Sequence, residues 1–548
     1  MKDMKLAVTR IIQAINAGDL IRIYGDYDAD GVSSTSLWYI VLKALGAKVS
    51  YFVPNRFTDG YGVHEHAIDQ FSKDKINLMI TCDTGITAIK QIAYAKKLGI
   101  EVIVTDHHEP QLVGSYDAAI ATLGKQTLDS SGTPYLIPDT IVVNPKRPDC
   151  KYPFKSLAGV GVSFKVLSAV CDKIHPDGKK ALYKYMDIVA LGTIADVMDM
   201  VDENRVICSL GLHRMGKSKN RGLHQLLRAT ELDGKQITSK DIGWTLAPCI
   251  NAAGRIVSAG EAVEMLISDN KLDAYRAAKK LVEINKERKE VTKAYVGDII
   301  TTIEARQEQQ PSSIIVHYHP QIPEGIVGLV AARVSNHFYK PTIILTDAEE
   351  DGIYKGSGRS IPALDLFRSL MGMTDLMTNF GGHAAACGLS LKAENFEQLR
   401  ERLEFYADTM LSKKDLVKTM TLDAALSPES MTLSFLERLG EMEPYGNGNK
   451  QPIFYMKDVK VVKTKAAGDE KNHFWALLSC RGRTISSIGF FLQSKYEEIG
   501  SPSVIDVAFF PAENEYPKGS GRVNVQMLIE DIRPAATKSK KKKGMNKK

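Results

Sequence analysis

Cysteine is sparse and scattered. The seven thiols (Cys82, Cys150, Cys171, Cys208, Cys249, Cys387, Cys480) are odd in number and nowhere form a Cys-x-x-Cys pair. That argues against a disulfide framework or a thiolate zinc site, and for a reducing cytoplasm. No run of about 18 uninterrupted apolar residues occurs, so no membrane span is expected. Met1 to Arg10 mixes Lys, Asp and apolar residues, without the apolar core or cleavage site of a secretory leader. Excess charge is also missing from the body of the chain. The formal charge is +6, but Lys538 to Lys548 holds seven lysines and no acid, so the remainder sums to 6 − 7 = −1. Basicity is a property of the tail, which reads as a disordered arm over 536–548 and by itself says nothing about nucleic-acid binding by the folded body.

What is present is an ordinary globular composition: 548 residues, 44% hydrophobic and 25% charged. At about 150 residues per domain this predicts roughly three to four domains. Leu20 to Tyr24, Val49 to Val53, Leu78 to Cys82 and Val102 to Thr105 read as buried strands, with helices over Val32 to Leu45 and Ile86 to Lys97. Such alternation predicts a parallel sheet with helices on both faces. Helical periodicity follows from Leu157 to about Leu191, and a long polar-faced helix from Leu272 to about Gln307 is expected to bridge two domains. A second α/β segment opens at Ser313 to Tyr318, and a helical stretch runs to Lys414. Five short strands between Phe454 and Ile529 then suit a small barrel of the OB type.

Acidic residues gather at the strand ends. Asp26, Asp28 and Asp30 occupy alternate positions after the first strand. Asp83 follows the third in Thr81-Cys82-Asp83-Thr84-Gly85, and Asp106-His107-His108 follows the fourth. Asp196 lies just past an apolar helix in Gly192-Thr193-Ile194-Ala195-Asp196. In open α/β sheets this edge is where ligands bind. Clustered carboxylates repel one another unless cations neutralise them. An EF-hand is excluded because no acid completes the loop and Gly31 leads straight into an apolar helix. Carboxylate with imidazole and no thiolate favours Mn²⁺ or Mg²⁺. Two such ions about 3.5–4 Å apart are the usual machinery for phosphoester hydrolysis.

In order and context, Asp28-Ala29-Asp30, Cys82-Asp83, Asp106-His107-His108 and Gly192 to Asp196 resemble the four motifs of the DHH phosphoesterase superfamily. The resemblance implies Asp83 as the ligand shared by two ions, Asp28 on one, and Asp30, His107 and Asp196 on the other. His108 would face the phosphate or the attacking water, and Asp26 would be a ligand or accept a hydrogen bond behind one. Tyr24 stands about where related pyrophosphatases carry a histidine. Gly356-Ser357-Gly358-Arg359-Ser360 and Gly381-Gly382-His383 resemble the DHHA1 substrate-binding domain that accompanies this catalytic domain. Without that context the first would read as a hairpin turn. Gly-Gly lets the backbone approach an anion closely, and His383 adds a donor.

Further stretches are similar to the RecJ exonucleases: Asn251-Ala252-Ala253-Gly254-Arg255, Glu443 to Asn449, Asn144 to Cys150, and the approach to Arg56. By this resemblance Arg56, Arg255, Ser357 and Arg359 contact terminal or scissile phosphates, a task suited to the bidentate guanidinium fork. Cys249 stands where the family commonly carries an arginine.

The expectation is therefore an α/β chain in five parts. They are a parallel-sheet DHH catalytic domain over 1–270, a connecting helix over 271–310, a smaller α/β DHHA1 domain over 311–414, an OB-like domain over 415–535, and the tail. The implied activity is 5′ to 3′ exonuclease action on single-stranded DNA by a two-metal mechanism, in DNA repair and recombination. The implied partners are single-stranded DNA together with a helicase or a single-strand-binding protein. Phe454, Phe474, Trp475, Phe490 and Phe491 are candidate base-stacking aromatics. The alternatives are an oligoribonuclease or cyclic-dinucleotide phosphodiesterase of the same superfamily, and an inactive single-strand-binding scaffold.

Overall fold

A computed structural model describes residues 1–56, 58–515 and 521–536. The expected lysine-rich arm lies almost wholly outside them. The described chain divides into two compact units. The first holds Met1–Lys418 with Gly446–Gly448, and the second holds Thr419–Tyr445 with the chain from Asn449 onward.

The first unit opens with α1 (Met4–Ala17), β1 (Leu20–Tyr24), α2 (Ala29–Ala44), β2 (Lys48–Phe52), α3 (Glu65–Lys73), β3 (Leu78–Cys82), α4 (Ile89–Lys97) and β4 (Glu101–Thr105). With β5 (Ile141–Val143) the strands form a fully parallel sheet in the order β2-β1-β3-β4-β5. Strand alternation sends Leu78, Ile80 and Cys82 against α1, α2 and α5 (Gly159–Ile174), while Met79 faces α3 and α4. Both faces are covered, which is why these strands read as continuous apolar runs. Helix α2 is buried nearly all round despite its Ser33-Ser34-Thr35-Ser36 run. Ser33, Thr35 and Ser36 each donate to the carbonyl four residues back, at 2.6, 2.7 and 2.7 Å, so those hydroxyls reach the core already satisfied. The expected helix from Ile86 begins only at Ile89, because the Ile86 amide donates to Asp106 instead. A three-stranded antiparallel flap between Gln111 and Pro138 had no signal in the sequence reading.

The helical span from Leu157 resolves into α5 and α6 (Met186–Ala195), joined by a 3₁₀ segment. Further helices lead to α7 (Ala247–Ile256) and then to α8 (Lys271–Gln309), 39 residues long and capped by Asn270. One end of α8 places Ala278 and Leu281 in the core around α7, and the other places Ile299 and Ile303 in the core of the next α/β segment. A single rigid helix thus serves two cores. That next segment comprises β6 (Ile315–Tyr318), α9 (Glu324–Phe338), β7 (Thr342–Asp347), β8 (Ile353–Arg359), β9 (Met377–His383), β10 (Ala386–Lys392) and α10 (Phe396–Met410), with sheet order β9-β10-β8-β7-β6. Gly356 to Arg359 is therefore strand, not a hairpin turn.

In the second unit, β11 (Phe454–Ala467), β12 (His473–Cys480), β13 (Arg483–Gly489), β14 (Val504–Glu515) and β15 (Val523–Pro534) close into a five-stranded barrel through the β11–β14 pairing. No helix among the described residues is long and apolar enough to cross a membrane.

Candidate metal centre

Each acidic side chain is delivered by the end of a β-strand or the start or end of a helix. Asp28 caps α2, its Oδ1 accepting the amides of Asp30 and Gly31 at 2.9 Å each. Asp30 is buried and accepts the first two amides of α5, from Gly159 at 2.7 Å and Val160 at 2.9 Å. The positive end of that helix therefore helps hold a carboxylate away from water. Asp83 follows β3 in a left-handed conformation with φ +61°, strain of the kind that collects at functional sites. Gly159 is what allows α5 to come so near. A Cβ there would stand 2.5 Å from Asp83 Oδ1.

His107 joins the two halves. Its Nε2 lies 3.1 Å from Asp83 Oδ1, 3.6 Å from Asp196 Oδ2 and 4.0 Å from Asp30 Oδ2. Three triads result, each with ligand-capable atoms within 4.8 Å of one another: Asp26, Asp28 and Asp83; Asp83, His107 and His108; and Asp30, His107 and Asp196. Asp83 belongs to two of them. The structure thus brings together all seven residues expected at the centre, and it sets Asp26 beside Asp28 and Asp83.

Electrostatics make this cluster unstable on its own. Burial, then the charge of Asp28, raises Asp26 well above the usual carboxylate range. Burial and neighbouring carboxylates do the same to Asp30 and Asp83. Asp196 is pushed up to about 7 by burial and Asp28. Burial and the charge of His108 push His107 down to about 3, leaving a neutral imidazole. Asp26 Oδ1 and Asp83 Oδ1 are buried and accept no hydrogen bond. Orphaned acceptors, repelling carboxylates and a neutral imidazole form a donor set that fits hard divalent cations such as Mn²⁺ or Mg²⁺.

His108 is differently placed. Asp106 is buried and accepts the amides of His107 and His108 on Oδ1 and that of Ile86 on Oδ2. Burial alone would raise its pKa, but the charge and hydrogen bond of His108 outweigh that and hold it well below the usual range. Asp106 is thus the acceptor of the 2.8 Å contact with His108 Nδ1, so Nδ1 donates and Nε2 is turned outward, 3.3 Å from the Tyr61 hydroxyl. Burial disfavours the charged ring, yet Asp106 lifts His108 to about 9.

A cavity of about 700 Å³ adjoins this centre, with Tyr27 and Tyr61 on its wall. Arg56, Arg255, Ser357 and Arg359 converge on it. Arg255 donates to the Gly325 carbonyl at 2.9 Å, and Arg359 to Ser357 Oγ at 2.8 Å. Arg56 sits over the Tyr27 ring. Among the described residues no carboxylate pairs with any of the three guanidiniums. Burial, then the charges of Arg56 and Arg288, push Arg255 down to about 10. Gly328 leaves the room needed, since a Cβ there would stand 2.9 Å from Arg359 Nη2. Gly381 and Gly382 line the cavity as part of β9, not as a turn of free amides. His383, also expected there, is not among the residues that line it. The strand carries it to the exposed hairpin end, where its Nδ1 accepts the Ala385 amide.

Tyr24 packs on Phe52 and Phe71, and its hydroxyl donates to the Gly62 carbonyl. It is a core residue outside the triads. Asp106, Asn144 and Asn251 stand within the motifs, yet the sequence alone assigns them no role. Asn144 donates to the His108 carbonyl, and Asn251 accepts the first amide of α2 from Ala29. The signal for them lay in their polarity and their place in the motifs, without the long-range partners.

On the barrel a groove of about 890 Å³ is lined by Lys465, Trp475 and Arg483 among others. Lys465 Nζ sits 5.1 Å above the Trp475 ring. Phe454 and Phe474 are buried in the barrel core, which removes them from the stacking candidates. Phe490 and Phe491 are exposed, 54% and 70%, and both rings meet that of His473 at a steep angle.

Comparison with known proteins agrees with this division. Family models match in three places: DHH family, N-terminal domain, over residues 20–193; DHHA1 domain over 312–408; and RecJ OB domain over 422–531. The chain is 35% identical over 97% of its length to the single-stranded-DNA-specific exonuclease RecJ of Bacillus subtilis, of which it spans 63%. It is 32% identical to the RecJ of Salmonella typhimurium, covering 96% of this chain and 90% of that one. The crystal structure of Thermus thermophilus RecJ in complex with Mn²⁺ superposes with a TM-score of 0.79 at 27% identity, covering 98% of this chain and 72% of that one.

Proposed function

Since the chain belongs to the RecJ family of single-stranded-DNA-specific exonucleases, we propose that it degrades single-stranded DNA from the 5′ end, hydrolysing phosphodiesters at a centre for two divalent cations. The observation that carries this reading is the link that Tyr61 makes between the arginine cavity and the carboxylate centre. Tyr61 lines the first and touches His108 of the second. Unpaired guanidiniums in a partly closed cavity favour a terminal phosphate, which carries more charge than an internal one. A 5′ phosphate held there sets a nearby phosphodiester beside the carboxylates.

Asp26, Asp28 and Asp83 would hold one ion, and Asp30, His107 and Asp196 the other, with Asp83 shared. When bound, the ions activate the attacking water and stabilise the departing oxygen. His108, with Nδ1–H fixed on Asp106, presents Nε2 to exchange a proton with the water or a phosphate oxygen. Arg56, Arg255 and Arg359 bind and orient the strand end, and Ser357 fixes Arg359. The barrel holds the rest of the strand by stacking and backbone electrostatics, with Trp475 and Lys465 its principal contacts. Such an activity belongs to DNA repair and recombination, where a helicase or a single-strand-binding protein would be its partner.

Digestion of end-labelled single-stranded and duplex DNA with Mn²⁺, Mg²⁺ or chelator tests the reading. Single strands should be consumed only with metal, and duplex spared. Indifference to chelator would contradict it.

A further inference from the structure

Trp244 is 79% exposed, an unusual place for an indole. It sits in a single turn of π-helix, Ile242–Leu246, that runs directly into α7. Such turns are frequent at functional sites. Leu246, Ala247 and Ile250 turn into the core. From Trp244 to Arg255 is 11 residues, about three helical turns and about 16 Å, so both lie on nearly the same side of the helix. Between them on that side, Asn251 holds the first amide of α2. One helix therefore carries an arginine of the phosphate cavity, a support of the metal centre and an exposed indole.

A neighbouring element points the same way. Helix α6 shares a core with the π turn through Ile194, Ile242 and Leu246. It ends at Ala195 with Asp196 as its C-cap, and the next residue, Val197, has φ +54° and is 71% exposed. A β-branched residue in the left-handed region is a true outlier. Here the strain keeps an apolar side chain in solvent directly beside a proposed metal ligand. Neither Val197 nor Trp244 lines the arginine cavity.

We propose that Trp244 is a stacking platform for a base of the single strand where that strand continues from the metal centre, outside the arginine cavity. The occupant is single-stranded DNA because the same helix already meets its proposed phosphates at Arg255. The inference rests on the functional reading above. Every base offers a face to stack on, so the platform adds length dependence without sequence preference.

The test uses the full chain with Mn²⁺ and 5′-phosphorylated single strands of two to about ten nucleotides. Trp244→Ala should raise KM for the longest strand at least about fivefold, with a much smaller effect on the dinucleotide, and Trp244→Phe should restore most of the loss. In chelator, 2-aminopurine walked along the strand should be quenched at one position by the wild type and not by Trp244→Ala. Equal KM values at every length for wild type and Trp244→Ala, or unchanged quenching, would overturn the platform alone. A fall in Tm with equal losses at all lengths would assign Trp244 to folding. A wild type that hydrolyses no single strand would overturn the functional reading and the platform with it.

Discussion

At the scale of single residues, Asp83 and Asp106 have opposite environments and opposite consequences. Asp83 is a buried carboxylate among carboxylates, so its charge is tolerated only when cations are bound. Asp83→Asn should abolish hydrolysis, yet raise the Tm of the metal-free protein and shrink the gain in Tm on adding Mn²⁺. Thermal melts with and without chelator measure both. A metal-free variant less stable than wild type would contradict the repulsion argument. Asp106 is instead fully bonded, and its charge fixes the His108 tautomer. Asp106→Asn should lower kcat about 10²-fold or more while Mn²⁺ titration stays near wild type. A kcat within a few-fold of wild type would remove His108 from proton transfer.

At the scale of elements, the N-terminus of α5 is the tightest constraint. Gly159→Ala would drive a methyl group into Asp83, so α5 must retreat and release its amides from Asp30. Activity should fall by more than 10-fold with weaker Mn²⁺ binding, and unchanged titration would show that the helix yields freely. This contact also marks the limit of sequence reading. Asp26, Asp28, Asp30 and Asp83 are legible because strand periodicity ends just before each group of acids. The amides that hold Asp30 come from 129 and 130 residues away, and nothing local announces them. On the barrel, apolar content located the strands but not their register. Phe474 and Trp475 are adjacent, and because strand faces alternate, one fills the core while the other lines a groove. His383 shows the same limit: Gly381 and Gly382 continue a strand, which carries the histidine to its end at the hairpin. Trp475→Ala should weaken binding of long single strands about fivefold or more, and of dinucleotides far less, by direct titration in chelator.

At the scale of the whole molecule, the first unit contains both the acidic centre and the arginine cavity, and α8 ties their two cores together. The proposed end recognition and the proposed chemistry thus fall to one body. Arg359→Ala should reduce the advantage of a 5′-phosphorylated strand over a 5′-hydroxyl one while metal binding persists. An unchanged ratio at fixed salt would take Arg359 out of the end-reading pocket, and salt must be fixed because phosphate contacts are screened. Polarity itself is the most direct test. A single strand labelled at its 5′ end, and another labelled at its 3′ end, are digested in Mn²⁺ and sampled over time. The account predicts immediate release of the 5′ label as a short product, and progressive shortening of the 3′-labelled strand. Immediate release of the 3′ label, with a shrinking 5′-labelled strand, would contradict it.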